Sequence, residues 1–121
     1  MIKYDLEERT LRFALNVRQF VAKVPRTIAS IEDCKQLVRS SGSVAANYIE
    51  ANESLSPRDF LLRIKICKKE AKESILWLRL LAENLSASFV PKANELIKEA
   101  TELMNILATI IQKQKAKEIR L

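Results

Sequence analysis

The sequence predicts an all-α fold: an antiparallel, up-down-up-down four-helix bundle built as one domain over residues 1–121. Three observations carry this expectation. Turn residues are scarce: one Gly and three Pro in 121 residues cannot supply the many tight turns that an all-β chain consumes. Apolar residues make up 48% and charged residues 30%, mostly Leu, Ile, Ala, Lys and Glu, which is helix-bundle usage. Finally, four stretches of similar length carry apolar side chains at helical spacing and are joined by short connections, the arrangement of antiparallel neighbours.

The first helix is expected over about residues 5–24. Asp5-Leu-Glu-Glu8 places acids where a helix N-terminus favours them, and Leu6, Phe13, Val17, Phe20, Val21 and Val24 form the inward stripe. Pro25 stops it, because the residue before a proline avoids helical geometry. The second helix is expected over residues 30–53, with Ser30 as N-cap and Glu32 and Asp33 in its first turn. Its stripe reads Ile31, Cys34, Leu37, Val38, Ser41, Val44, Ala45, Tyr48 and Ile49.

The third helix, residues 57–85, has the clearest start: Ser56-Pro57-Arg58-Asp59 supplies a cap, a proline at the first position and an acid in the first turn. Phe60, Ile64, Cys67, Ala71, Ile75, Leu78 and Ala82 form its stripe. The fourth helix, residues 91–114, begins near Pro91 and buries Leu96, Ala100, Leu103, Leu107, Ile110 and Ile111.

Several classes of function are disfavoured by what the chain lacks. With no histidine, it has neither the commonest general base nor the Glu-x-x-His pairs of di-iron bundles. One glycine cannot build a phosphate-cradling loop. Glu50/Glu53 and Glu70/Glu73 are Glu-x-x-Glu pairs without histidine partners, which read as salt-bridge or interface contacts rather than metal ligands or acid–base catalysts. No enzyme activity, metal or cofactor is expected. No run reaches the ~18 apolar residues of a membrane span, and the charged start Met1–Glu8 does not resemble a secretory signal. A cytoplasmic protein is expected, with Cys34 and Cys67 as small apolar side chains rather than a disulfide.

Two surfaces stand out. The net charge is +6, and the third helix concentrates it, with seven basic against four acidic side chains in residues 57–85. Arg58, Lys65, Lys68, Lys69, Lys72 and Arg79 fall on one arc, and Lys113, Lys115, Lys117 and Arg120 make the C-terminus basic. Such a surface suits a phosphate backbone, although a solvated helix face has the same composition. Without aromatic side chains among these cations, base reading is not indicated.

A second arc of the third helix holds Ile66, Trp77, Leu80 and Leu81, with Glu70 and Glu73 among them. One bundle needs one apolar stripe per helix, so this arc predicts a contact between subunits; the plainer reading is that Trp77 caps the core. On the second helix, Gly42 and Ala46 lie four apart and allow close approach of another helix. Arg39, Ser43, Asn47 and Glu50 then form a polar network between helices or between subunits, or else a solvated face.

The run Arg39-Ser-Ser-Gly-Ser-Val-Ala-Ala-Asn-Tyr-Ile-Glu-Ala51 resembles the Arg-Ser-x-x-Ser-x-x-x-Asn-x-x-Glu signature of the intervening-sequence proteins, four-helix bundles encoded within inserts in bacterial large-subunit ribosomal RNA genes. The later run from Phe60 to Leu81 is similar to the third helix of one branch, with Glu70, Ala71, Glu73, Trp77 and Leu78 matching. The resemblance spans residues 5–115. It implies an antiparallel bundle assembled as a homopentameric barrel, and kinship with the nucleic-acid-binding accessory protein of diversity-generating retroelements, whose reverse-transcriptase role is not carried over. It marks Ser43, Asn47, Glu50, Glu70 and Glu73 as signature positions, not catalysts. The expectation is therefore a non-enzymatic homo-oligomer that binds structured RNA or DNA through basic surfaces. The alternative is a protein–protein scaffold without nucleic acid.

Overall fold

A computed structural model of the chain describes residues 5–120, with side chains through Glu118. Met1–Tyr4 and the side chain of Arg120 therefore lie outside the described residues. Four α-helices follow one another: α1 (Leu6–Ala22), α2 (Ile28–Asn52), α3 (Pro57–Asn84) and α4 (Val90–Arg120), with a short 3-10 turn at Ala87–Phe89 before the last. They form the all-α four-helix bundle that composition and periodicity predict.

Local chemistry explains each start. The extended Asp5 caps α1, its carboxylate accepting from the Glu7 and Glu8 backbone N–H groups at 2.9 and 3.4 Å. Ser56 does the same for α3 through the Asp59 N–H at 3.1 Å, with Pro57 at the first helical position. For α2 the cap is Thr27 rather than Ser30. Thr27 is extended (φ −132°, ψ 170°), and its hydroxyl accepts from the Ser30 N–H at 3.1 Å. Ser30 returns the interaction, accepting from the Thr27 N–H at 2.8 Å. This reciprocal box satisfies two orphan donors, which a cap at Ser30 alone would not.

Two helix ends differ from expectation. Helix α1 stops at Ala22, because Lys23 and Val24 turn back to bond the Phe20 and Val21 carbonyls before Pro25. Helix α4 runs past Gln114 to Arg120, since the Gln, Lys and Ala residues there are good helix formers and no Gly or Pro interrupts them. Gln114 lies against the α2–α3 connection at Ser54–Pro57, so the last turns of α4 project beyond the end of the bundle.

The core runs the length of the molecule. Leu6, Phe13, Val17, Phe20, Leu37, Leu78, Leu96, Ala100 and Leu103 fill most of it, closed at one end by the edge-on pair Phe20–Phe89 with centroids 6.4 Å apart. Ala51, Ile64, Cys67, Leu107 and Ile111 fill the other end.

Helices α2 and α3 are the most intimately packed pair, and of the adjacent helix pairs α1 and α4 touch least. The reason is side-chain size. Ser40, Ser41 and Val44 of α2 meet Cys67, Ala71 and Ser74 of α3, all fully buried. The Ser40 and Ser74 hydroxyls bond at 2.7 Å, and the Cys67 thiol reaches the Val44 carbonyl at 3.5 Å.

This seam sets the rotation of α2 and corrects its expected stripe. Ile31 and Ile49 are 38% and 47% exposed. Both sit about 120° around the helix from Leu37, at ~100° per residue. Ala51 and Ser40 take the inward positions instead.

Burial pushes the Cys67 thiol up to about 12 from its ordinary 9.0, so folding favours its neutral form. That contribution is full below pH 9 and declines as pH rises towards about 12, where the folded thiol also ionises. Cys34 is half-buried and raised too, chiefly by burial and then by Asp33. At pH 8 we expect a thiol reagent to label Cys34 quickly and Cys67 only at the rate of opening, read by mass spectrometry of the intact chain. Ser40→Leu should overpack the seam and cost about 1–3 kcal/mol, read by urea unfolding.

Candidate nucleic-acid interface and the signature seam

The signature residues of α2 are spent inside the chain. Arg39 spans to α3, its guanidinium donating to both Glu70 carboxylate oxygens at 3.3 and 3.5 Å and to Glu73 at 3.3 Å. Glu70 is buried with its carboxylate beneath that guanidinium. One turn along the seam sits the Ser40–Ser74 pair. Further on, the Asn47 amide donates to the Ser43 hydroxyl at 2.9 Å and to the Ser43 carbonyl at 3.0 Å. The Asn47 oxygen accepts from Arg63 of α3 at 3.1 Å, and Arg63 also faces Glu50 at 3.9 Å. The polar network left open between helices or subunits is thus an α2–α3 ladder within one chain. Arg63, missed from the sequence, is the basic residue that answers Asn47 and Glu50.

Gly42 does admit a close neighbour, but it is a side chain. A Cβ there would stand 3.2 Å from the Arg18 guanidinium of α1. Ala46 lies one turn along, exposed.

The second arc of α3 divides. Leu81 is 2% exposed and belongs to the core. Trp77 is half-buried and packs against the same core, and its indole Nε1 is buried without a hydrogen-bond partner. Ile66 is half-buried and Leu80 exposed. The sequence reading missed Leu62 and Leu76, which are exposed beside them. Contacts of Arg63, Glu70 and Ser74 fix the direction of α2, so Leu62, Ile66, Leu76 and Leu80 form an edge of α3 on the α2 side, with Lys69 and Glu73 between them.

The basic arc occupies the rest of the outward surface. Arg58, Lys65, Lys68, Lys69, Lys72 and Arg79 are all exposed, and among the described residues none of them has a carboxylate partner within ion-pair distance, in contrast to Arg9, Arg12, Arg39 and Arg63. From Arg58 to Arg79 the arc extends ~32 Å at 1.5 Å per residue. Lys65, Lys68 and Lys72 lie towards α4. Lys113, Lys115 and Lys117 are exposed on the projecting end of α4, at the same end of the bundle as Arg58. Lys115 points away from the other two, because a two-residue step is ~200° of rotation. The structure thus yields one long basic face and a separate basic tip.

Among the described residues, no three His, Cys, Asp or Glu side chains gather as a metal centre requires, and no helix is long and apolar enough to cross a membrane.

Removing Arg39 would strand the buried Glu70 carboxylate. Arg39→Met should therefore destabilise by about 2 kcal/mol, and Arg39→Met with Glu70→Met by less than the sum of the two single changes. Chemical denaturation of all three variants measures this coupling.

No curated protein matches the chain. A solved structure does: a protein of unknown function from the S23 ribosomal protein family of Bacteroides thetaiotaomicron, 28% identical, covering 88% of this chain and 98% of that one with a TM-score of 0.73. The model of the 23S rRNA-intervening sequence protein family matches residues 3–109. The chain belongs to the 23S rRNA-intervening sequence protein family.

Proposed function

We propose that this protein is a non-enzymatic, self-associating helix bundle that binds structured RNA or DNA through the basic face of α3 and the lysines of the α4 tip, without reading base sequence. The supporting observation is the row Arg58, Lys65, Lys68, Lys69 and Lys72: exposed, contiguous and free of carboxylate partners among the described residues. A phosphate backbone is the partner such a row fits, since binding releases condensed counterions and needs no base contact. Assembly into the homopentamer that the family resemblance implies would repeat the face and concentrate its positive field. The family description ties these proteins to 23S rRNA, which makes a structured RNA the first ligand to try. The cytoplasm is the compartment this reading implies, in keeping with two free thiols.

One observation favours the alternative scaffold. Leu62, Leu76 and Leu80 are exposed beside the lysines, as a protein contact would require. Nuclease treatment before a pull-down separates the two: protein partners that survive it support the scaffold.

Replacing Lys65, Lys69 and Lys72 together by Gln should weaken RNA binding and lower the slope of log K against log salt by about 1 for each phosphate no longer neutralised. Titrations of a structured RNA at several salt concentrations give the slope. An unchanged slope rules this face out.

A further inference from the structure

Charge is divided across α4. Glu95, Glu99 and Glu102 turn towards α1, where they line a groove with Arg12, Phe13 and Asn16, and Arg9 holds Glu99 and Glu102. On the opposite flank, at ~100° per residue, Asn94, Thr101, Ala108 and Lys115 recur every seventh position and lie towards α3. No acid stands among them short of Glu118, beyond the end of the bundle. Asn105 and Gln112 are exposed along the outer margin of the same flank.

Helix α3 answers with a row of the same period. Arg58, Lys65, Lys72 and Arg79 are seven apart, so they form a nearly straight line with a cation every ~10.5 Å. Lys68 fills the side nearer α4, and Glu83 ends the row one turn beyond Arg79. Gln114 lies against Pro57 and Phe60, and the two helices are antiparallel. Lys115 therefore stands level with Arg58, Ala108 with Lys65, Thr101 with Lys72 and Asn94 with Arg79. The α3–α4 face is two rows side by side, one cationic and one neutral, closed at the Arg58 end by Lys115. Lys113 and Lys117 fall on the α1 side of α4 and take no part.

The form of this face selects a partner. Phe13, Phe20, Tyr48, Phe60, Trp77 and Phe89 all pack on the core, so no ring among the described residues stands here to stack unpaired bases, as single-strand sites use. A rigid row on two packed helices suits phosphates already held in place by a double helix. The neutral row narrows the choice further. A-form RNA presents a wide, shallow minor groove edged by 2′-hydroxyls, which Asn94, Asn105 and Gln112 are equipped to bond. The Thr101 hydroxyl spends its proton on the Ile97 carbonyl at 2.8 Å and so offers an acceptor; a 2′-hydroxyl is a donor that DNA lacks.

We infer that the α3–α4 face seats double-stranded RNA, with Arg58, Lys65, Lys72 and Arg79 on its phosphates and the neutral row of α4 over the minor groove. This rests on the reading above that the chain binds nucleic acid. It names the form bound, and it divides the α4 tip, keeping Lys115 and leaving out Lys113 and Lys117.

Anisotropy titrations of the wild-type chain should show a short blunt RNA duplex bound more tightly than the DNA duplex of the same sequence or one RNA strand alone. Asn105→Glu and Gln112→Glu, both at exposed positions, should keep wild-type helicity by circular dichroism. Each should weaken the RNA duplex about tenfold or more, since a carboxylate then faces phosphates. Gln19→Glu, the same charge change at an exposed position of α1, should leave affinity unchanged. Lys115→Gln should lower the slope of log K against log salt by about 1, and Lys113→Gln with Lys117→Gln should not. A wild type that binds none of the three overturns the nucleic-acid reading itself. One that binds the RNA duplex but loses as much to Gln19→Glu as to Gln112→Glu, or keeps its slope in Lys115→Gln, overturns the α3–α4 seat alone. A single strand or a DNA duplex bound as tightly overturns the choice of double-stranded RNA.

Discussion

Everything in this molecule is arranged around the contact between α2 and α3. Small side chains let the two backbones approach, and that proximity brings Ser40 to Ser74 at 2.7 Å and the Cys67 thiol to a backbone carbonyl. A close, water-poor seam makes every polar group in it consequential. Arg39 must answer Glu70, or a buried carboxylate is stranded, while Asn47 and Arg63 pair in a more open part of the same seam. Such ladders add little net stability, because desolvation offsets much of the attraction. What they supply is register: one axial setting of α2 on α3 satisfies all of them, and a shift of one turn satisfies none.

The seam has a consequence for the rest of the surface. A helix whose inward face is taken by serines and small residues must place its larger apolar side chains elsewhere. Ile31 and Ile49 accordingly point outward, Ile49 at the level of Leu11 of α1. On α3, Glu70 and Ser74 occupy the α2-facing positions, and Leu62, Leu76 and Leu80 are displaced to the outer edge. The helix pair opposite the seam is looser and is clamped by charge: Arg9 of α1 donates to Glu99 at 2.6 and 2.7 Å and to Glu102 at 2.8 Å. Those hydrogen bonds hold the Arg9 guanidinium above its ordinary pKa, against the opposing effect of its partial burial.

Helix α3 therefore carries three surfaces with separate chemistry. One is buried and polar towards α2, one is apolar at the outer edge, and one is basic towards α4. The last two adjoin and overlap, since Lys69 lies among the apolar side chains and Leu76 projects within the basic arc.

Helix number, order and most boundaries were legible in the sequence because they are local matters. Asp5, Ser56 and Pro57 act within one turn of themselves, and Pro25 stops a helix whatever surrounds it. The basic arc was legible as well, since 3.6-residue periodicity alone puts Lys65 and Lys72 on one face. The fate of each apolar residue was not. Leu81 and Leu80 are neighbours of equal hydrophobicity, yet one is core and the other surface, and only the direction of α2 decides between them. Likewise Arg39 and Arg63 are alike in sequence, and their carboxylate and amide partners lie 16 to 34 residues away. Facing and pairing depend on contacts between distant segments, so the tertiary packing settled them. Propensity and capping, which act between near neighbours, had already settled where the helices run.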